Sequence, residues 1–132
     1  MREDTISQMD TLTFIKSLET LTFNASDRSG DVVTATATVT SRGDGYSGHW
    51  IRFKVIYRGE QFEAYQSQQI YAGVRLPERC ELSCDGEIIA IAHTPHNDGN
   101  WIASCSGRYD DDLTREDRNP IVALLQVASN IM

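Results

Sequence analysis

The chain has 132 residues, 40% hydrophobic and 23% charged, the balance of one globular domain (1–132) long enough to bury a core without staples. A formal charge of −7 weighs against direct nucleic-acid binding, which is driven by Lys and Arg displacing counterions from phosphates, and no basic run is present. No apolar stretch reaches the ~20 residues of a membrane span, and Met1-Arg2-Glu3-Asp4 lacks the layout of a secretory signal. With three cysteines, an odd number, these features point to a cytoplasmic protein with reduced thiols and no membrane partner.

Residues 5–22 read as a helix. Thr5 and Gln8 resemble a capping box, and Met9, Leu12, Ile15 and Leu18 recur at helical spacing. Thr-Leu-Thr-Phe at 11–14 and again at 20–23 is β-branched alternation, so residues 11–23 also suit a strand. A helix to about residue 20 with an extended exit reconciles the two. Asn24 to Asp31 is a polar loop.

From residue 32 the period becomes two. Val33, Ala35, Ala37 and Val39 alternate with threonines, predicting a half-buried strand, with Ser41 to Gly45 as the following loop. Ile51, Phe53, Val55 and Tyr57 share one face of the next strand. A turn at Arg58-Gly59 places Val55 opposite Phe62 and Phe53 opposite Ala64, with Lys54 facing Glu63 and Arg52 facing Tyr65. Residues 66–79 suggest an edge strand through Ile70 and Tyr71, then a loop ended by Pro77. Asp85-Gly86 is the strongest turn signal and sets Leu82 opposite Ile89 and Cys80 opposite Ile91. Pairing His93 with Trp101 then aligns Ile91 with Ala103 and Ile89 with Cys105.

A helix closes the chain. Asn119 can cap it, Pro120 suits its first turn, and Ile121 to Ile131 are apolar over more than half the circumference. Such a helix needs cover on two sides, from the N-terminal helix or from a second copy in a homodimer. The expected architecture is α+β: an antiparallel sheet of five or six strands in two linked meanders, with an N-terminal and a C-terminal helix packed on one face.

Two sets of residues suggest chemistry. Cys80, Cys84, His93, His96 and Cys105 are zinc-ligand types within a short segment, and Cys84 or Cys105 with His93 could form a thiol–imidazole pair. Strand geometry opposes both uses. Cys80 and Cys84 would lie roughly 13 Å apart along one strand, and Cys84 and Cys105 roughly 9–10 Å apart across an intervening one. The cysteines are expected to be small core residues. Asp110, Asp111 and Asp112 lack the spacing of a calcium loop and fit a solvated segment, or a display of negative charge beside Tyr109. No nucleophile elbow or phosphate-binding loop occurs, so no cofactor is expected.

Trp50 falls on the strand face away from Ile51 and Phe53, with Arg52, Lys54, Ile56 and Tyr65 around it. Either a helix covers this face and makes Trp50 core, or the face is open and forms an aromatic-plus-arginine binding patch. The resulting expectation is a non-catalytic protein-binding module, an acidic inhibitor or adaptor acting on a protein with a basic surface. Small acidic anti-defence proteins of phages and mobile elements offer the analogy. The alternative is a small thiol- or zinc-dependent protein using Cys84, His93, His96 and Cys105.

Overall fold

The computed structural model describes residues 18–24, 32–105 and 114–131. Among them are nine strands: β1 (Leu18–Asn24), β2 (Val32–Gly45), β3 (Gly48–Tyr57), β4 (Glu60–Tyr71), β5 (Val74–Arg75), β6 (Glu78–Cys84), β7 (Glu87–Thr94), β8 (Trp101–Cys105) and β9 (Arg115–Asp117). One helix, α1 (Pro120–Ile131), follows. The strands form an antiparallel sheet in the order β1-β2-β3-β4-β6-β7-β8-β9, with β5 folded back on the end of β4.

The expected five or six strands with two terminal helices is therefore corrected. Residues 18–24, which overlap the helix read for 5–22, pair with Val32 to Thr38 as β1. The β-branched Thr-Leu-Thr-Phe at 20–23 favours the extended form over the competing helical spacing. Residues 5–17 of that helix lie outside the described residues. The two meanders are one sheet, because β4 continues to Tyr71 and pairs with β6 from Glu63–Ser83 to Ser67–Arg79.

Three two-residue turns set most of the register. Arg58-Gly59, Ala72-Gly73 and Asp85-Gly86 all have positive φ at both positions, the mirror-image turn that matches strand twist. The β3–β4 register is the expected one, with Val55 facing Phe62 and Arg52 facing Tyr65. Elsewhere two β-bulges move it. Thr40 is an extra residue between Val39–Phe53 and Ser41–Arg52, so β2 continues through the expected loop Ser41–Gly45 and turns only at Tyr46-Ser47. Ile89 is extra between Leu82–Ala90 and Ser83–Ile88. Cys80 thus faces Ala92 and Leu82 faces Ala90, in place of Ile91 and Ile89. The shift carries into β8, where His93 faces Ile102, Ala92 faces Ala103 and Ala90 faces Cys105.

The inner face of the curled sheet carries Ala35, Ala37, Phe53, Val55, Tyr57, Phe62, Ala64, Cys80, Leu82, Ala90, Ala92 and Ala103, all buried. Against it lies α1, which touches β6, β7, β8 and β9 and also β1 at the opposite edge. Curling brings both edges of the sheet to one helix. Ile121, Leu124, Leu125 and Val127 are fully enclosed, each contributing about 1.5–3 kcal/mol by burial. The wide apolar arc of α1 is therefore covered within the fold, and it supplies no argument for a homodimer through this helix. Asn119 is the expected cap: its Oδ1 accepts hydrogen bonds from the Ile121 and Val122 amides at 2.9 and 3.3 Å.

One glycine is indispensable to the β2–β3 corner. Gly48 has φ of +134°, and a Cβ there would lie 2.0 Å from the Gln68 carbonyl oxygen. Strain at that φ and the backbone clash act together, so Gly48→Ala is expected to destabilise the protein by roughly 2–4 kcal/mol in urea unfolding. Gly45→Ala, immediately before Tyr46 in a site with nothing within 4 Å, should change stability far less.

Candidate functional site

The outer face of the sheet, opposite α1, holds the one expected side-chain set that the structure brings together. Along β3, Trp50, Arg52, Lys54 and Ile56 alternate with the buried Ile51, Phe53, Val55 and Tyr57. Tyr65 on β4 is directly opposite Arg52, one diagonal step from Trp50. The Trp50 and Tyr65 rings stack with centroids 6.1 Å apart and planes inclined by 30°. Arg52 places its guanidinium carbon 4.7 Å from the Tyr65 centroid and 5.4 Å from that of Trp50. Its Nη1 also lies 3.9 Å from Glu63 Oε2. Among the described residues no helix covers Trp50: α1 packs on the other face, and Trp50 and Tyr65 are each half-buried while Arg52 is exposed.

The bulge at Thr40 shapes this cluster. It brings Gly43 opposite Trp50, and the indole lies across that glycine so closely that a Cβ would be 2.5 Å from Nε1. Gly43 in the Arg-Gly-Asp sequence thus serves as a strand residue under an aromatic ring, not as a loop residue. Thr40 Oγ1 donates to the Arg52 carbonyl at 3.3 Å and ties the bulge to the same strand. Beyond Tyr65 the face continues across β6 with an Arg79–Glu81 ion pair of 2.9 Å, and then to Ile91, Ile102 and the exposed Ile88. Tyr109, Asp110, Asp111 and Asp112 lie outside the described residues.

The thiol and imidazole groups do not assemble. Cys80 and Cys105 are buried on the inner face, while Cys84 sits half-exposed beside the Asp85-Gly86 turn. His93 is exposed on the outer face and His96 is exposed in the β7–β8 turn segment. Trp101 is buried inward, so the expected His93–Trp101 pair is not made. Among the described residues, no three His, Cys, Asp or Glu side chains are grouped so as to hold a metal ion. Burial pushes the Cys80 thiol far above its ordinary range, with Glu81 and Glu78 adding to the effect. Desolvation, then the Asp85 and Glu60 carboxylates, also raises that of Cys84. Raised thiols are poor nucleophiles near neutral pH. The cleft nearby, about 620 Å³, is lined by Thr40, Lys54, Gln61, Glu63, Ser83 and Asp85, and the Ser83 hydroxyl donates to the Glu63 backbone carbonyl at 3.3 Å.

Sequence reasoning missed a polar group at the other end of the inner face. Gln66 and Gln68 on β4, Glu78 on β6 and Thr94 on β7 are buried. Asn97, at φ of +52°, organises part of it. Its Oδ1 accepts from Gln68 Nε2 at 3.3 Å, the Glu78 amide at 3.1 Å and Thr94 Oγ1 at 3.3 Å. The signal was present as glutamines at the inward positions of an otherwise apolar alternation. His49, facing Gln68, has its pKa lowered by burial, which outweighs the pull of Asp44, and Arg75 lowers it further.

The chain matches no protein-family model, and no curated protein or solved structure is significantly similar to it. No helix among the described residues is long and apolar enough to cross a membrane.

Two measurements follow from these placements. A folded-state His49 pKa below the unfolded value of about 6.5 means the unfolded chain binds the proton more readily. Its contribution to stability is complete above that value and falls as pH drops through it towards the lower folded pKa. Urea midpoints taken from pH 7.5 to 5 should decline for the wild type and decline less for His49→Gln. Thiol titration of native protein should find Cys80 and Cys105 unreactive and Cys84 slow, with all three reacting after denaturation. A fast, stoichiometric native thiol would contradict the placement.

Proposed function

We propose that the protein is a non-catalytic binding module that docks a partner protein with a basic surface on the outer face of its sheet. The observation that carries this reading is the Trp50–Arg52–Tyr65 stack, held on two adjacent strands and left uncovered by α1. Trp, Tyr and Arg are the side chains that most often dominate binding energy, and strand backbones hold them with little entropy left to lose. Stacking of the guanidinium on the rings adds about 0.5–1 kcal/mol each at such exposed positions and fixes the cluster before a partner arrives. Glu63 and Glu81 flank the stack, and the chain as a whole carries −7, which favours encounter with positive charge. The narrower idea of an inhibitor carried by a phage or mobile element rests on size and charge, and the fold adds nothing to it.

Affinity capture from a native lysate treated with nuclease should compare wild type with Trp50→Ala/Tyr65→Ala and with Glu63→Lys/Glu81→Lys. A stoichiometric protein retained by wild type, lost from the aromatic variant by at least tenfold, and weakened by the charge variant and by salt would support the reading. A partner held equally by all three proteins would reject this face.

A further inference from the structure

The outer face is hollowed beside the aromatic stack. Two residues on from Arg52 and Tyr65, Lys54 on β3 faces Glu63 on β4, and Glu63 in turn faces Ser83 on β6. This row lines the cleft of about 620 Å³, together with Thr40, Gln61 and the Asp85-Gly86 turn. Outward rows on a strand lie about 6.8 Å apart, so the cleft is one row from Tyr65.

Charge is divided across the cleft. Lys54 stands on the β3 side, and Arg52 reaches from the next row to within 3.9 Å of Glu63. The β4–β6 side carries carboxylates. The Cys84 thiol donates to the Gln61 carbonyl at 4.0 Å, and after desolvation it is Asp85 and Glu60 that raise this thiol, so both carboxylates lie at that end. Among the described residues no cation is within ion-pair distance of Asp85 or Glu60. Ser83 donates its proton to the Glu63 carbonyl, which leaves the hydroxyl oxygen as an acceptor, and the Gln61 side chain offers another.

An anion in this cleft meets Lys54 but also two carboxylates that no described cation neutralises. A cation meets the opposite balance, and Lys54 then has an acceptor in any peptide carbonyl carried with it. A guanidinium suits carboxylates on separate elements, because its five donors spread in one plane, whereas an ammonium acts as a point charge. An extended chain has the same two-residue repeat as the strands beneath it. An arginine in the cleft therefore puts the side chain two residues away over Tyr65 and Trp50.

We propose that the partner docks through an extended segment whose arginine sits in this cleft between Glu63 and Asp85, two residues from an aromatic or aliphatic side chain that covers the Trp50 and Tyr65 rings. The inference rests on the reading of the outer face as a protein-docking surface and adds the chemistry of the segment that reaches it. Asp85 and Glu60 hold the guanidinium, Gln61 and Ser83 accept its remaining donors, and Lys54 donates to a carbonyl of the segment.

The test is amide-resolved NMR titration with the acetylated and amidated tripeptides Arg-Gly-Trp and Trp-Gly-Arg, one for each direction along β4. In control peptides citrulline, a neutral isostere, or glutamate replaces the arginine. At least one arginine peptide should shift the Gln61, Ser83 and Gly86 amides saturably at millimolar concentration, and bind at least fivefold more tightly than either control. Asp85→Asn keeps the turn, because Asn-Gly suits the positive φ at this position as well as Asp-Gly does, and should remove most of that preference. Trp50→Ala/Tyr65→Ala should weaken the arginine and citrulline peptides alike. The proposal is overturned by no saturable shift with either arginine peptide, by citrulline or glutamate peptides that bind as tightly, or by an Asp85→Asn variant that keeps the full preference. In those cases a lysate partner lost from Trp50→Ala/Tyr65→Ala still upholds the docking face. Conversely, arginine-selective shifts lost in Asp85→Asn uphold the cleft even where the lysate yields no partner.

Discussion

The fold depends on wrapping one antiparallel sheet round one helix. A sheet that curls tightly enough for β1 and β9 both to touch α1 leaves little depth for inward side chains. Many inward positions are accordingly small: Ala35 and Ala37 on β2, Ala64 on β4, Cys80 on β6, Ala90 and Ala92 on β7, Ala103 and Cys105 on β8. The bulk that fills the interior comes from the helix, through Ile121, Leu124, Leu125 and Val127, and from a few large sheet residues, Phe53, Leu82, Trp101 and the aromatic end formed by Phe23, Tyr57 and Phe62. Close packing requires this mixture, because large residues at every inward position would hold the helix away and open the sheet.

The same constraint explains the bulges. A long antiparallel sheet has a fixed twist, and an extra residue in one strand increases it locally and bends the strand. Thr40 and Ile89 sit at two such places, on β2 and β7, either side of the central β3, β4 and β6. Each also changes what the surface presents. The first lays Gly43 under Trp50, and the second carries Ala90 and Ala92 to the helix while Ile88 and Ile91 turn outward. Architecture and candidate binding face thus share a cause.

The two faces differ in how they treat polarity. Outside, charges are paired in solvent, as in Arg79–Glu81, and exposed pairs of this kind add little to stability. Inside, a group of polar side chains gathers at one end, where Asn97 satisfies Gln68, the Glu78 amide and Thr94, while Gln66 and His49 Nε2 there, and the Tyr57 hydroxyl and Trp101 Nε1 elsewhere, stay unmet. A network satisfied on one flank and open on the other is costly unless something completes it.

Much of this was readable from the residues. Local chemistry determined the Arg58-Gly59 and Asp85-Gly86 turns, the β3–β4 register, the alternation of β2 and the Asn119-capped helix, because each depends on neighbours in sequence or across a short hairpin. The aromatic-arginine cluster was legible for the same reason: Trp50, Arg52 and Tyr65 belong to that hairpin. Tertiary structure alone decided the rest. Ile89 and Ile91 were expected opposite Leu82 and Cys80, yet at β7 the helix needs the small Ala90 and Ala92 there and the bulge supplies them. Residues 18–24 became a strand, over a competing helical spacing, by pairing with β2. That α1 leaves the Trp50 face uncovered followed from where it came to lie. Bulges, curl and helix placement arise from contacts far apart in the chain, and a period counted along the sequence carries no term for them.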